Sequence, residues 1–439
     1  MRSSHKLDRV VVSFDEDNLV PNAGLVAPAE LAQKLGVGEL VDERVRLTGP
    51  GKANSGIKAL TVVGAMLAGG DSIDDTDVLR AGAVPKVFDQ TRAPSTIGTW
   101  LRCFTWAAVR MLDAVLRVVL VRAWAAGLGP DLAAPLTIDC DSTICETYGT
   151  KKQGGVFGHT MVRGYHPMVS SCAQTQEVLH ARMRGGNAHS ARGAAGFIRE
   201  TIARVRAAGA RGPLTVRADS AFYSKGFLWA CREADARFSV TVKMNPSIRR
   251  AIDGIPDDAW TKIPYWLEGG ADVAEVPYRC FAGRHALKVR LIVRRVRPTP
   301  GSQLALDVVF DYHALVTDRE GTMLELEADH RDHAVVELVI RDLKADAGLA
   351  HLPSGKFPAN AAWLALTTLA YNLGRWTLRA AGGEWATATI GTLRRCLLSM
   401  PARLARSARR LRLRAPTNWP WRHTLMRARA VFAAIPAPG

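Results

Sequence analysis

The sequence predicts an α/β protein built around a mixed β-sheet with helices on its faces. Apolar residues recur at helical spacing up to about residue 130, and from Leu136 the period changes to the alternation of β-strands. Three strand-like segments, 136–144, 166–175 and 176–184, have Gly-rich connections, and two further strands then alternate with helices. The order β-β-β-α-β-α-β describes a meander followed by crossover connections, which favours a mixed sheet.

The segments on either side of these strands are predicted to be separate elements. Residues 27–45 and 93–112 have helical periodicity with Pro or Ser-Thr starts, and Gly-rich turns separate them. Short helices around a Gly turn fit a helix-turn-helix reader of DNA, and a plain helical bundle fits them equally well. A strand-like, turn-rich stretch over 246–325 predicts an inserted β-subdomain before a helix at 330–348, and the chain beyond is predicted to be helical.

The charge balance indicates a polyanionic partner. The chain has 439 residues, enough for two to four domains, and its 58 Lys and Arg residues exceed its 41 Asp and Glu residues by 17. A protein this basic attracts nucleic acid, because each neutralised phosphate releases condensed counterions. A basic but inert surface is the alternative interpretation, and the uneven placement of the charge favours nucleic acid.

Positive charge is concentrated near the C-terminus. After Ala350, Glu384 is the only acidic residue, against fourteen Lys and Arg residues. The run 403–416 is dense enough in Arg to form a phosphate-binding surface, and a solvated tail helix is the alternative.

Cysteine usage and hydropathy predict a cytoplasmic protein with no membrane partner. The seven cysteines are scattered and form no CxxC pair, which favours reduced thiols over a disulfide framework or a zinc ribbon. The N-terminus lacks a long apolar segment of the kind found in secretory signals. The most apolar helical stretch, 106–129, is interrupted by four charged residues and is predicted to be a buried or DNA-facing helix.

Two carboxylates stand in the first predicted strand, LTIDCDST. Its apolar residues Leu136, Ile138 and Cys140 point to one face, so Asp139 and Asp141 share the other face. Two like charges about 6–7 Å apart are unfavourable unless they are compensated. A divalent cation would compensate them, because Mg²⁺ prefers carboxylate oxygens and leaves room for a substrate phosphate. A salt-bridged or surface pair is the simpler interpretation of this strand alone.

A second strand ends in the same dipeptide. Asp219 closes the strand in LTVRADSAFY, and Ser220 follows it just as Ser142 follows Asp141. Ligand sites of open α/β sheets form at the C-terminal ends of strands, where both Asp-Ser pairs are predicted to lie. A helix N-cap is the alternative role for Asp219.

The helix predicted over 330–348 supplies a third carboxylate. Basic side chains and Glu337 recur on it at spacings of 3, 4, 4 and 3, so one helical face collects His330, His333, Glu337, Arg341 and Lys344. A carboxylate among such groups suits a helix that faces both a metal and phosphates. An exposed Glu-Arg pair, worth only ~0.3–0.5 kcal/mol, is the alternative.

Together these motifs resemble the DDE transposases of bacterial insertion sequences, and more narrowly the group called transposase DDE domain, group 1. The resemblance rests on DST and RADSAFY on strands and on Glu337 with Lys344 on a helix. The stretches YGTKKQGGVFGHTMVRGYHPM, RGGNAHSARGAAGF and NAAWLALTTLAYNLGRW are also similar to that group, and the similarity extends to about Trp376. It implies an RNase H-like fold in which two Asp and one Glu hold two Mg²⁺ ions, with Mn²⁺ as an alternative ion.

Carried over residue by residue, the resemblance assigns the catalytic triad. Asp141, which directly precedes Ser-Thr, is the first Asp, Asp219 is the second, and Glu337 is the Glu. These three are the predicted catalytic and metal-binding residues, and Asp139 is an accessory candidate for the metal. The assignment requires that all three side chains converge in the folded protein.

The signature of the family on its last helix is Tyr, two residues, Arg, three residues, Glu, six residues, Lys. Glu337 and Lys344 fit this signature, whereas His330 and His333 occupy the Tyr and Arg places. The predicted DNA-binding residues are His330, His333, Arg341 and Lys344. Arg331 is, with Arg341, a candidate to replace the missing Arg.

The function implied by the resemblance is that of a transposase. It would cleave DNA at the ends of its element and transfer the freed 3′-OH to target DNA by two-metal phosphoryl transfer. The expected partners are terminal inverted repeats, target DNA and a second copy of the chain in a homodimeric synaptic complex, at the nucleoid of a bacterial cytoplasm. An RNase H-like nuclease without strand transfer and an inactive, transposase-derived DNA-binding protein are the alternatives.

The domain organisation follows from these assignments. We expect a helical N-terminal DNA-binding domain over 1–130, the first part of the catalytic core over 131–245, a β-rich insertion over 246–325, the last helices of the core over 326–380, and a basic helical C-terminal region over 381–439. Within the insertion, Trp260 and Trp266 could stack a displaced base, although a core role is the more ordinary one.

Overall fold

The structure is a computed structural model that describes residues 6–158, 160–189, 191–265, 270–297, 310–407 and 410–436. Its α-helices are α1 (Val26–Lys34), α2 (Val37–Arg44), α3 (Ser55–Ala68), α4 (Val84–Val87), α5 (Pro94–Arg102), α6 (Trp106–Ala125), α7 (Ala194–Ala207), α8 (Lys225–Glu233), α9 (Pro246–Asp253), α10 (Met323–Arg331), α11 (Val335–Asp346), α12 (Phe357–Ala381), α13 (Ile390–Leu393) and α14 (Arg422–Ala434). Its β-strands are β1 (Leu19–Val20), β2 (Leu136–Ser142), β3 (Cys145–Glu146), β4 (Val156–Phe157), β5 (Arg163–Tyr165), β6 (Met168–Cys172), β7 (Val178–Arg182), β8 (Leu214–Ala218), β9 (Ala236–Val242), β10 (Thr261–Ile263), β11 (Ala271–Cys280), β12 (Leu287–Val296), β13 (Asp311–Thr317), β14 (Ala402–Ser407) and β15 (Arg410–Arg414).

The predicted mixed sheet with flanking helices is confirmed. In the central part of the sheet the order is β9-β8-β2-β6-β7. Strands β2, β8 and β9 are parallel, and the meander β2-β6-β7 is antiparallel. Numbered by appearance in the chain, this order is 5-4-1-2-3, which is the arrangement of an RNase H-like sheet. The parallel strands end on the same edge, which is where the two Asp-Ser dipeptides stand.

The β-rich insertion continues this sheet and does not form a separate one. Strand β13 pairs with β9, and β12, β11 and β10 follow outward, so the described residues contribute nine hydrogen-bonded strands to one sheet. The ring of Trp260 lies under the guanidinium of Arg295, 4.2 Å from the guanidinium carbon to the ring centroid, so this indole is packed within the insertion. Trp266 lies outside the described residues.

The helix α12 forms the centre of the helical layer. Nearly all of its side chains are buried, including Trp363, Tyr371 and Trp376, and it packs against α3, α6, α14 and β7. Asn372 joins it to the sheet, because its amide group accepts a hydrogen bond from the Val178 N–H and donates one to the Val178 carbonyl, each at 2.8 Å. The outer edge of strand β7 is thereby hydrogen-bonded to α12 at Val178.

The N-terminal region is helical, as predicted. Helices α1 and α2 are separated by Leu35 and Gly36, and Gly36 adopts a φ of 67°, a conformation that favours glycine and lets the chain turn between them. Within the described part of the chain, no helix combines the length and the apolar character needed to cross a bilayer.

The helix predicted over 330–348 is divided into two helices. Thr322 and Glu325 form a capping box that begins α10, and α10 ends at Arg331. A 3-10 turn, Asp332–Ala334, separates α10 from α11. The predicted single face from His330 to Lys344 is therefore interrupted, because side chains before and after the turn no longer follow one helical repeat.

The arginine-rich run near the C-terminus forms a β-hairpin, whereas the sequence analysis predicts a helix there. Strands β14 and β15 pair with each other, and β14 also pairs with β1, giving a separate three-stranded sheet. The physical reason is the alternation of residues: Leu404 and Leu413 are opposite each other and face the core, while the flanking pairs Arg403–Arg414 and Ala405–Arg412 point to the other face. Helix α14 follows the hairpin, so the region is only partly helical.

Candidate active site

Two of the predicted catalytic carboxylates lie side by side at the C-terminal ends of two central strands of the sheet. Strands β2 and β8 are parallel neighbours, with Cys140 opposite Ala218; Asp141 follows Cys140 on β2, and Asp219 directly follows the end of β8. Adjacent strands are about 4.8 Å apart, so the two side chains are neighbours. Asp219 accepts a hydrogen bond from the Ala221 N–H at 3.0 Å, which orders the turn that leads toward α8.

Helix α11 brings the third carboxylate to the same place. It packs on β2 and β6, and Glu337 in its first turn is exposed. Asp141 and Glu337 line one open pocket of about 560 Å³, together with Arg341 and Lys344. The structure thus brings together Asp141, Asp219 and Glu337, which are far apart in the sequence.

The carboxyl group of Asp141 has an unfavourable electrostatic environment. Burial, together with the charges of Asp219 and Glu337, raises its pKa to about 6, against the opposing effects of the Ser142 N–H and of His333. Acidic neighbours that oppose each other's ionisation are the surroundings in which a cation gains most.

Asp139 is predicted as an accessory metal ligand, but its carboxylate contacts other protein side chains. Its carboxylate is buried and accepts two hydrogen bonds from Arg217, at 2.7 and 2.9 Å, and lies 3.0 Å from Nδ1 of His333. Arg217 is its register partner on β8 and also donates to Asp329. The prediction of a ligand role is corrected here, because both carboxylate oxygens are already bonded to protein groups.

Arg217 is a residue of the site that the sequence analysis missed. Hydrogen bonds to Asp139 raise its pKa against the effect of burial, so it remains charged behind the carboxylates. The signal was present, since Arg217 stands two residues before Asp219, as Asp139 stands two before Asp141. It could be recognised only with the register of β2 and β8.

The two histidines predicted to bind DNA have protein partners in this structure. The ring nitrogens of His330 lie 3.0 Å from Oγ of Ser239 and 2.9 Å from Oγ1 of Thr241, both on β9. Burial and the charges of His333 and Arg217 lower the pKa of His330 to about 3, so the ring is neutral. A neutral ring bonded to the sheet is unsuited to a phosphate, which corrects the predicted DNA-binding role of His330.

His333 lies beside two carboxylates of β2, those of Asp139 and Asp141. Its side chain is 13% exposed, and its contact with Asp139 fixes the ring beside Asp141. His333 therefore helps to hold the carboxylates of Asp139 and Asp141 in position. Its predicted contact with DNA remains a prediction.

The two basic residues of α11 differ in their partners. Lys344 donates a hydrogen bond to the carbonyl of Ile144 at 2.8 Å, which ties α11 to the segment just after β2. Arg341 is exposed and lines the pocket beside Glu337, whereas Arg331 pairs with Glu327 at 3.1 Å. Of the two candidates to replace the missing Arg of the signature, Arg341 therefore has the position that faces the pocket.

The three stretches that carry the resemblance contact one another at a small lobe, the sheet of order β3-β5-β4. The amide of Asn360 donates to the hydroxyl of Tyr165 at 3.0 Å, which joins the start of α12 to β5. Gly186 lies so close to this lobe that a Cβ atom would stand 2.2 Å from the carbonyl oxygens of Gly164 and Val156. The lobe, a small sheet of order β3-β5-β4, follows directly on Asp141 and Ser142 along the chain.

Another group of potential metal ligands lies between α6, β7 and α7. Among the described residues, Asp113, His180 and Glu200 are the one set of three His, Cys or carboxylate ligands whose atoms lie within 4.8 Å of one another. The oxygens of Asp141, Asp219 and Glu337 are therefore not gathered this tightly.

Arginines make this second group a poor cation site. Arg204 lies 2.5 Å from Asp113, and Arg182 and Arg110 lie 2.5 and 2.9 Å from Glu200. Three guanidinium groups outnumber two carboxylates, so a divalent cation would meet net positive charge. We interpret the group as an ion-pair network that packs α7 and α6 on β7.

The chain matches the family model described as transposase DDE domain group 1 over residues 2–437, nearly its whole length. An RNase H-like sheet with acids at the C-terminal ends of its parallel strands fits a DDE-type, DNA-cleaving enzyme, and the match identifies the family: the chain belongs to transposase DDE domain group 1. It is a transposase of this group.

Among solved structures, the chain is similar to the cryo-EM structure of the piggyBac transposase synaptic complex with hairpin DNA. The two are 11% identical, with a TM-score of 0.44, and the match covers 96% of this chain and 86% of that one. No protein with curated annotation matches the chain.

Proposed function

We propose that Asp141, Asp219 and Glu337 are the catalytic carboxylates of this transposase and act on the phosphodiester backbone at the ends of a mobile element. The observation that carries the proposal is their placement: the ends of two parallel strands and the first turn of α11 bring them to one edge of the sheet. The family supports metal-dependent chemistry at such acids.

The donor set at this edge fits divalent metal ions. Three carboxylates provide hard oxygen ligands, and their mutual repulsion, expressed in the raised pKa of Asp141, would be relieved by a cation. We propose that they hold two Mg²⁺ ions, with Mn²⁺ as a substitute. When bound, such ions stabilise charge on the attacking and leaving oxygens of an in-line displacement.

The neighbouring residues position this donor set. The ion pair of Asp139 with Arg217 holds β2 and β8 in register directly behind Asp141 and Asp219. His333, in the 3-10 turn before α11, joins that turn to the carboxylate of Asp139. Lys344 fixes α11 against the segment after β2. Arg341, exposed at the pocket, would contact the phosphate next to the scissile bond.

The complete reaction we propose has two steps. Hydrolysis first frees a 3′-OH at each element end, and this hydroxyl then attacks a phosphate of the target DNA, so the number of phosphodiester bonds is conserved in the second step. Terminal inverted repeats, target DNA and a second copy of the chain in a synaptic complex are the proposed partners, at the nucleoid of a bacterial cell. His333, near the carboxylates, and the N-terminal helices are the proposed further contacts to DNA.

Isosteric substitutions test the assignment. D141N, D219N and E337Q should each reduce Mg²⁺-dependent cleavage of a duplex carrying the DNA that flanks the gene by at least about 100-fold. D235N is the matched control, because Asp235 is exposed at the opposite end of β9 and loses the same charge. Cleavage that persists in D219N, with D235N unchanged, would refute the triad.

A second assay separates the proposal from its alternatives. Supplied with pre-cleaved ends that carry a 3′-OH, the wild-type chain should join them to a supercoiled plasmid, and D219N should not. Cleavage without joining would favour an RNase H-like nuclease, and binding without either reaction would indicate an inactive DNA-binding descendant.

A further inference from the structure

The hairpin of β14 and β15 has two chemically different faces. Cross-strand partners share a face, and the pairs Arg403 with Arg414, Ala405 with Arg412 and Ser407 with Arg410 alternate with Leu404–Leu413 and Arg406–Leu411. One face therefore carries four arginines with only Ala and Ser between them. This face, which we call the arginine face, consists of Arg403, Arg410, Arg412 and Arg414.

The positive charge of the arginine face is largely uncompensated. All four arginines are exposed, and no Asp or Glu follows Glu384 in the sequence. Within the described part of the chain, Arg403 has an ion pair with Glu16, at 3.2 Å, and none is found for the other three. Arg403 and Arg414 are directly opposite each other, an arrangement of like charges that destabilises an isolated hairpin.

The hairpin is nevertheless held firmly in place. Leu404 is buried and Leu413 packs against the core, and β14 pairs with β1 through Leu19 and Val20. A groove of about 530 Å³ runs beside the hairpin and is lined by further basic groups, Lys86 and Arg406, as well as by Arg403 and Arg414. The arginines are thus presented on a rigid support, which reduces the entropic cost of binding.

The spacing of the arginine face matches a duplex backbone. Residues two apart on a strand are about 6.6 Å apart, and opposite residues are about 5 Å apart, which is the scale of neighbouring phosphates on a nucleic-acid strand. The small residues Ala405 and Ser407 let the backbone of the ribbon approach closely. A two-stranded ribbon is also narrow enough to enter the major groove.

We propose that the arginine face binds the phosphate backbone of duplex DNA, independently of sequence and outside the catalytic pocket. The proposal rests on the transposase function proposed above, and it adds the surface that holds the substrate. Among the strands of the described residues, the three-stranded sheet that carries the hairpin shares none with the nine-stranded sheet that carries Asp141, so the two contacts with DNA are separate.

Salt-dependent binding tests this surface. Fluorescence anisotropy with two 30-bp duplexes of unrelated sequence, without divalent cation, gives the slope of log K against log salt. Replacing all four arginines by Gln should reduce that slope by about 3–4, because each phosphate contact contributes about 0.9, and R412Q alone should reduce it by about 1. Replacing all four by Lys should keep the slope, since charge is retained.

The matched control is R211Q, which removes one exposed arginine at the N-terminal end of β8, opposite the catalytic edge. It should leave the slope and the melting temperature unchanged. The proposal would be overturned if R211Q reduced the salt slope as much as R412Q does, or if the fourfold Gln variant kept the wild-type slope. It would also be overturned if the wild-type chain bound neither duplex.

Two further binding measurements test whether duplex DNA is the partner of the arginine face. Single-stranded DNA of the same length should bind more weakly than the duplex, and phosphatidylserine vesicles should also bind more weakly than the duplex at the same salt concentration. Loss of vesicle binding in the Gln variant without loss of duplex binding would overturn the inference. Because cleavage is not measured in these assays, failure of the arginine face and failure of the Asp141, Asp219 and Glu337 assignment are read separately.

Discussion

Removing Asp139 should destabilise the fold strongly, because Arg217 would then be a buried charge without its main partner. The Arg217 side chain is 3% exposed and that of Asp139 is 1% exposed. The substitution D139A removes two charge-assisted hydrogen bonds at 2.7 and 2.9 Å and the contact with His333 at 3.0 Å. Loss of one member of a buried ion pair costs about 3–5 kcal/mol, and we expect a decrease of this size in the free energy of unfolding.

A double variant separates the buried charge from the loss of packing. D139L/R217M removes both charges and fills the space with apolar groups, so it should recover at least about 2 kcal/mol relative to D139A. His333 and Asp329, which also contact this pair, are 13% and 34% exposed and can turn to solvent.

The measurement is urea denaturation followed by circular dichroism and by tryptophan fluorescence. Coincident transitions and an unchanged m-value are required before the midpoints are converted to free energies. If D139A unfolds within about 1 kcal/mol of the wild type, Asp139 does not neutralise Arg217 and the interpretation of this pair is refuted. A double variant less stable than D139A would refute it as well.

Three other predictions concern the support of the sheet. N372A leaves an N–H and a carbonyl of β7 without partners and should cost about 1–3 kcal/mol for each group, measured by urea denaturation with N372Q as a partial replacement. Because burial and the charges of His333 and Arg217 lower the pKa of His330 to about 3, the folded state keeps this ring neutral where the unfolded chain binds a proton. Stability should therefore be full above about pH 6.5 and fall by up to about 1.4 kcal/mol per pH unit below it, a slope that H330N reduces. H180A should leave the divalent-cation requirement of cleavage unchanged, since arginines already pair the carboxylates beside that ring; a changed requirement in a cleavage titration would contradict this.

The sequence alone predicts the sheet and the location of Asp141 and Asp219 at strand ends, because both depend on local patterns. Strand alternation assigns Asp139 and Asp141 to one face, and strand ends followed by Asp-Ser locate Asp141 and Asp219. The partner of Asp139 could not be predicted in this way. Asp139 and Asp141 have the same periodicity, and only the register of β2 against β8 places Arg217 beside the first and leaves the second at the pocket.

Two predicted helices, the one over 330–348 and the one near the C-terminus, differ from the structure because of tertiary contacts. The spacing of His330 fits one continuous helix, but bonds from its ring to Ser239 and Thr241 hold it to β9, and the helix turns before Val335. Near the C-terminus the predicted helix is wrong, and the decisive signal is the period-two placement of leucines in RLRLR. Pairing with β1, nearly the whole chain away, could not be foreseen from the local sequence.

The pairing of β1 with β14 constrains the order in which the protein can be completed. Leu19 and Val20 leave the ribosome long before their partners Arg403 and Ala402 are synthesised. A two-residue strand has no stability of its own, so Leu19 and Val20 stay unpaired until β14 has emerged. A chain whose synthesis stops before β14 therefore lacks the pairing that joins β1 to the arginine-bearing hairpin.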